Sequence, residues 1–144
     1  MENYGDETPL LALLPVLYRI ISLTEVHKNF GITKSQAIVF IILHYRESVN
    51  MSEVAKYLSS SKEQATRTVA GLCDHGLVER FEAPENRTHV FIRFTDLGKE
   101  HLKKLIDELN KEVSEKVNAS LTVEEIATLN ESIRTTVSIL NKVQ

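Results

Sequence analysis

Cysteine is nearly missing from the chain. The single Cys73 among 144 residues excludes an internal disulfide framework, and no Cys/His cluster has the spacing of a zinc site, which points to a reducing cytoplasm. His27, His44, His75, His89 and His101 are scattered without i, i+4 pairing, so no metal is expected. Proline is confined to positions 9, 15 and 84, and low-complexity or linker composition is scarce. Excess charge of one sign is lacking too. Lys and Arg total 17 against 20 Asp and Glu, a formal charge of −3, so bulk composition announces neither a nucleic-acid nor a membrane partner. Any such partner must be met by a local patch. The apolar run "LLALLPVL" is too short to span a bilayer and carries Pro15, and the acidic Glu2, Asp6 and Glu7 precede it where an export signal needs positive charge. A Gly-rich phosphate loop, H-E-x-x-H and G-x-S-x-G are all absent, so neither catalytic residues nor a cofactor are expected.

What is present is helical periodicity, in a chain whose 42% hydrophobic content suffices for the core of one domain. Thr8-Pro9 is a helix start, followed by an apolar face of Leu10, Leu13, Leu14, Leu17, Ile20, Ile21 and Val26. Pro15 must kink that helix or mark its true start, and Gly31 ends it. Thr33 caps a helix over 34–46 in which Ala37, Ile38, Phe40, Ile41, Ile42, Leu43 and Tyr45 cover nearly all sides, which predicts the most buried helix. Ser52 caps a short helix, "EVAKYL", and the serines at 59–61 turn the chain into a longer one over about 62–75. From Val78 the period changes to two, Pro84, Glu85 and Asn86 reverse the chain, and "THVFIRF" alternates again, a β-hairpin with a polar tip. Thr95 caps a long helix to about residue 118, striped by Leu102, Leu105, Ile106, Leu109, Val113 and Val117. Thr122 and Glu125 form a capping box that opens a last helix with Ile126, Leu129, Ile133, Val137 and Leu140 on one side.

On a helical wheel, Ala65, Val69, Leu72 and Cys73 share one face of the helix over 62–75, while Glu63, Gln64, Arg67, Gly71 and Asp74 share the other. One face packs and the other is open to a partner. With "SEVAKYL" before it and the hairpin after it, this is a helix-turn-helix with a wing. A helix fits the major groove of DNA, where the Gln64 amide pairs with adenine and the Arg67 fork with guanine. Ser60, Ser61, Lys62 and Thr66 sit at the helix start, where hydroxyls and backbone N–H groups reach phosphates, and Arg87 and His89 stand near the hairpin tip, placed to touch backbone or minor groove. From Met51 to Thr95 six cations (Lys56, Lys62, Arg67, Arg80, Arg87, Arg93) meet six anions (Glu53, Glu63, Asp74, Glu79, Glu82, Glu85). Affinity must therefore come from where charges point and from doubling in a dimer. The same fold can instead bury its third helix against another protein, and protein–protein contact stays open as the alternative.

The segment "MSEVAKYLSSSKEQATRTVAGLCDHGLVERFEAPENRTHVFIRFTDLGKE" resembles the winged-helix core of the MarR family of bacterial transcriptional regulators. It shares a serine-rich turn, Thr66-Arg67 in the recognition helix, the "GLVER" exit, a Pro-containing wing and a Thr-x-x-Gly opening of the long helix at Thr95 and Gly98. The helix order and length are similar over essentially the whole chain. The resemblance implies a mostly α fold with a small β-hairpin wing. Residues 34–95 would be the DNA-binding lobe, and 8–28 and 96–143 the dimerisation helices of one cytoplasmic subunit. It also implies a homodimer on a pseudo-palindromic double-stranded site, usually a repressor, which a small aromatic or phenolic molecule or an oxidant loosens. Tyr18, Arg19, His44 and Tyr45 are the residues expected to line an effector cleft, if they are not simply satisfied polar residues of the core. Family wings usually carry Asp-x-Arg before the returning strand, and here the tip reads Asn86-Arg87-Thr88, so the ion-pair brace is missing. Cys73 lies on the packed face with no second cysteine to resolve a sulfenic acid, which predicts a buried structural thiol.

Overall fold

Helix caps written into the sequence set most of the boundaries. The computed structural model describes residues 11–13, 15, 16, 19 and 25–143; the Thr8-Pro9 start, and Leu10, Leu14, Leu17, Ile20 and Ile21 of the first apolar face, lie outside them. Residues 11–13 are already helical, so Pro15 does not begin that helix. Nor does the helix run on to Val26. Glu25 is non-helical and precedes α1, Val26–Asn29, which ends before Gly31.

Thr33 then opens α2, Lys34–Tyr45, through a capping box: its hydroxyl accepts from Gln36 N and its own N–H donates to Gln36 Oε1. Val39, Phe40, Ile42 and Leu43 are buried, as the sequence predicts for this helix, but Ile38, Ile41 and Tyr45 stay exposed. The expectation of a helix covered on nearly all sides fails along that one stripe.

A strand of two residues, β1 (Val49–Asn50), precedes α3, Met51–Tyr57. The cap of α3 is Asn50, whose side chain accepts from Glu53 N at 2.9 Å while Glu53 Oε2 accepts from Asn50 N at 3.0 Å. Ser52, the expected cap, lies inside the helix. An amide side chain two residues upstream with a Glu three residues beyond it outcompetes the serine, because it satisfies two end donors reciprocally.

The helix after the serine turn, α4 (Lys62–Asp74), leads into β2 (Val78–Ala83) and β3 (Asn86–Phe94). The sheet has three strands in the order β1-β3-β2, with Val49 opposite Ile92 and Val78 opposite Phe94. Val39, Val49, Val54, Ala65, Val69, Leu72 and Ile92 are fully buried, and Phe40 meets Phe94 edge-on at 5.0 Å between ring centres. Burying side chains of this size is worth about 1.5–3 kcal/mol each. The core therefore fixes both the outward face of α4 and the root of the hairpin.

Thr95 bolts α5 (Asp96–Ser120) to the end of α4: its hydroxyl donates to Gly76 O at 2.5 Å and accepts from Gly98 N at 3.0 Å, and its N–H donates to Leu77 O. Gly98 allows this closeness. A Cβ there would overlap the Leu77 carbonyl oxygen and lie 2.9 Å from its carbon. The chain divides within α5 into two units, residues 1–107 and 108–144. In the second unit Thr122 and Glu125 cap α6, Val123–Leu140, reciprocally. The stripe predicted on α6 is present but uncovered, with Leu129, Ile133, Val137 and Leu140 all exposed. Among the described residues, no helix is long and apolar enough to cross a membrane.

Candidate nucleic-acid interface

The turn between α3 and α4 is built from backbone. Ser59 adopts a left-handed conformation, φ 48°, its N–H donates to Lys56 O, and Ser60 N–H donates to Ala55 O. This pair of bonds closes the helix as glycine usually does. Ser61 follows as the cap of α4, its Oγ accepting from Gln64 N at 3.1 Å. A capping hydroxyl uses its lone pair and keeps its proton, so Ser61 still has a donor for an outside oxygen. Ser60 Oγ bonds Ser61 O at 3.3 Å. The N–H groups of Lys62 and Glu63 have no intrahelical acceptor and give the helix start a partial positive charge.

Along α4 the buried face is Ala65, Thr68, Val69 and Leu72. One placement differs from the wheel, and Thr68, which the wheel left unassigned, joins the packed face. Gly71 does not belong to the open face: a Cβ there would sit 2.5 Å from Gln36 Nε2 of α2. Thr68 turns inward and donates to Gln64 O at 3.0 Å. Thr66 is exposed, but its hydroxyl proton is committed to Lys62 O at 2.8 Å, so towards a phosphate it can only accept. Lys62, Gln64 and Arg67 are exposed, and their side chains have no hydrogen bond or ion pair among the described residues. Glu63 and Asp74 are exposed as well.

Charges flanking that face are spent internally. Arg46 spans from α2 to Glu53 at 3.1 Å and to the Tyr57 hydroxyl at 3.3 Å, which together hold its guanidinium above the ordinary arginine value, the hydroxyl most strongly. Arg93 bonds Glu79 at 2.7 Å across the hairpin and lies 4.4 Å over the Phe81 ring. Taking Arg93, Glu79 and Glu53 out of the six cations and six anions between Met51 and Thr95 leaves five cations and four anions.

The hairpin turns on Pro84-Glu85, and Asn86, expected in the turn, already begins β3. Beyond the tip the register slips. Ala83 faces Asn86 while Glu82 faces Val90, so Arg87, Thr88 and His89 lack ladder partners. Asn86 Oδ1 accepts from Thr88 Oγ1 at 2.6 Å and lies 3.0 Å from His89 Nδ1. Arg87 is exposed, with no side-chain partner among the described residues.

Of the residues expected to take an effector, Tyr18 lies outside the described residues and Arg19 is exposed. His44 and Tyr45 stack edge-on at 4.8 Å, and Tyr45 is 79% exposed, so neither lies in the core. A hollow of about 460 Å³ lies elsewhere, lined by Leu43, Glu47, Arg93, Phe94 and Lys99. Cys73 is half-buried, and burial pushes its thiol above the ordinary value, partly opposed by Arg80.

Comparisons with known proteins bear on the same residues. The MarR family model matches residues 32–90, the stretch from the end of α1 to the returning strand of the hairpin. Over that stretch the chain is similar to the MarR family. It is 27% identical over 92 residues to YdgJ of Bacillus subtilis (strain 168), described as an uncharacterised HTH-type transcriptional regulator; the match covers 62% of this chain but 56% of YdgJ. In structure it is similar to the apo form of wild-type MarR from E. coli, with a TM-score of 0.72 at 22% identity over 92% of this chain and 98% of that one. The YusO protein from Bacillus subtilis matches with a TM-score of 0.63 at 19% identity, over 90% of this chain and 93% of that one. Identities this low establish the MarR-like winged-helix fold of the chain and nothing finer.

Proposed function

We propose that this chain is a double-stranded-DNA-binding transcriptional regulator of the MarR family that reads a pseudo-palindromic operator as a cytoplasmic homodimer and acts as a repressor. The observation that carries the reading is the sorting of side chains in the lobe. Lys62, Gln64, Arg67 and Arg87 are exposed without side-chain partners among the described residues, while neighbouring Arg46 and Arg93 are paired. In the DNA complex α4 lies in the major groove, Gln64 facing adenine and Arg67 guanine. Ser60, Ser61 and Lys62 meet phosphates, Thr66 contributes from the first turn, and Arg87 and His89 meet the backbone beside the wing. Residues 34–95 form the reading lobe and 8–28 and 96–143 the dimerisation helices. The uncovered stripe Leu129, Ile133 and Val137 supports that assignment, since an apolar helix face of this kind calls for a partner. A small aromatic or phenolic effector is assigned to Tyr18, Arg19, His44 and Tyr45, supported by the accessible Tyr45 ring.

Fluorescence anisotropy against the DNA upstream of the chain's own gene, with random DNA as control over a salt series, tests the reading. Selective binding whose logarithmic affinity falls linearly with log salt is expected. Affinity no better than for random DNA, and none recovered from a random-oligonucleotide selection, would turn the assignment towards a protein–protein module.

A further inference from the structure

The hairpin tip contains a polar cluster of Asn86, Thr88 and His89. We propose that Asn86 is a positioning residue for Arg87, holding the slipped segment on which Arg87 stands while leaving the arginine's charge uncompensated. The inference rests on the DNA-binding reading above.

Arg87, Thr88 and His89 lack ladder partners, so strand register does not set their positions. Asn86 supplies the missing restraint by gathering Thr88 Oγ1 (2.6 Å) and His89 Nδ1 (3.0 Å) on its amide oxygen, with those two atoms 3.0 Å apart. Arg87 thus has a pinned residue on each side and a guanidinium that no internal partner claims among the described residues. A carboxylate at position 86 would accept the same bonds, but it would also place a negative charge beside the arginine and weaken its attraction to phosphate. An amide holds the tip without that cost.

Proton accounting sharpens the proposal. The Thr88 hydroxyl has one proton, committed to Asn86 Oδ1, and an amide oxygen has none. The proton in both imidazole contacts must be the one on His89 Nδ1, although a free neutral imidazole side chain favours Nε2–H.

Two measurements on the full chain test this. In long-range nitrogen–proton NMR spectra recorded in alkaline buffer, the wild type should show the Nδ1–H tautomer and Asn86→Ala the Nε2–H form, while Asn86→Asp keeps Nδ1–H. In anisotropy titrations with a short random-sequence duplex, Asn86→Ala should weaken binding about tenfold, the order of the cost of fixing one backbone residue on binding. Its log–log salt slope should flatten towards that of Arg87→Ala, by about one per wing. Asn86→Ala/Arg87→Ala should bind no more weakly than Arg87→Ala alone. Asn86→Asp should restore the tautomer but not the slope. An Nε2–H tautomer in the wild type, undiminished binding by Asn86→Ala, or losses that multiply in the double variant would each overturn the inference. A wild type that binds no DNA at any salt, with the Nδ1–H tautomer intact, would remove the DNA-binding reading instead and take the role of Asn86 with it.

Discussion

Substituting Gly98 by alanine sets two physical effects against each other, and the structure decides the sign. Helix propensity alone favours alanine over glycine by about 1 kcal/mol at an interior position. A Cβ at 98, however, would overlap the Leu77 carbonyl oxygen and stand 2.9 Å from Leu77 C and 3.0 Å from Phe94 Cδ1. The first two obstacles are backbone, so no rotamer change relieves them. Relief requires moving the start of α5 away from Leu77, which breaks the bonds from Thr95 N to Leu77 O and from the Thr95 hydroxyl to Gly76 O. Overpacking costs about 1–3 kcal/mol and each lost hydrogen bond about 1 kcal/mol, so the net expectation is a loss of roughly 2–4 kcal/mol. Gly71→Ala is the internal control. The atom in its way is Gln36 Nε2 at 2.5 Å, the far end of a side chain that can swing aside at the expense of one long bond to Thr68 O (3.5 Å). That variant should lie within about 0.5 kcal/mol of the wild type. Urea unfolding followed by far-UV circular dichroism at one fixed protein concentration reads both. If Gly98→Ala is as stable as the wild type or more so, the close approach of α5 to Leu77 is wrong.

Ser59→Gly should stabilise the chain by roughly 0.5–1 kcal/mol in the same assay, because Ser59 holds a left-handed φ of 48° that glycine adopts without penalty; a loss would mean that the serine side chain has an unseen role. Arg67→Ala should lower discrimination between operator and random DNA by about 1–3 kcal/mol, read by competition anisotropy, and equal losses on both DNAs would demote Arg67 to a phosphate contact. Because burial raises the Cys73 thiol, its contribution to stability is full below the unfolded thiol's value and is lost as pH rises through the folded value. Cys73→Ser should therefore flatten the decline of stability on the alkaline side, and an unchanged decline would contradict the burial. Ile133→Glu, at a position half exposed in the single chain, should convert the protein to monomers in analytical ultracentrifugation, whereas a purely solvated helix face would leave its sedimentation unchanged.

Capping chemistry made much of this fold legible in the sequence. Thr33, Ser61, Thr95 and Thr122 are caps in the structure because each hydroxyl precedes a helical run by the one spacing that reaches an end N–H. Asn50, with Glu53 three residues on, is equally readable, but Ser52 lies closer to the apolar residues and places the expected boundary two residues late. Strand β1 was not readable. Two residues carry no period, and Val49 joins the sheet only because Ile92, forty-three positions away, lies beside it. The same limit hid Gly71, whose neighbour Gln36 belongs to another helix. The sequence exposed the Asn86 substitution as the loss of an ion pair, while the bonds to Thr88 and His89 appear only once the register slip is known.

Apolar stripes posed the harder problem, since periodicity reports that a face is to be covered and not by which chain. Ile38 and Ile41 on α2 and Leu129, Ile133 and Val137 on α6 carry the same signal as Phe40 and Val69, yet remain exposed. The charge balance gives that exposure a consequence under the DNA-binding reading. One lobe offers about three phosphate contacts through Lys62, Arg87 and the start of α4, for which affinity falls some fortyfold between 50 and 200 mM salt. Two lobes joined through their helices offer about six, and the same salt step then costs on the order of a thousandfold. Under that reading a lobe so nearly neutral gains its hold on a polyanion by being doubled, so the stripe on α6 and the exposed side chains of α4 would serve one function through different elements. In Ile133→Glu the salt slope should accordingly halve along with the mass.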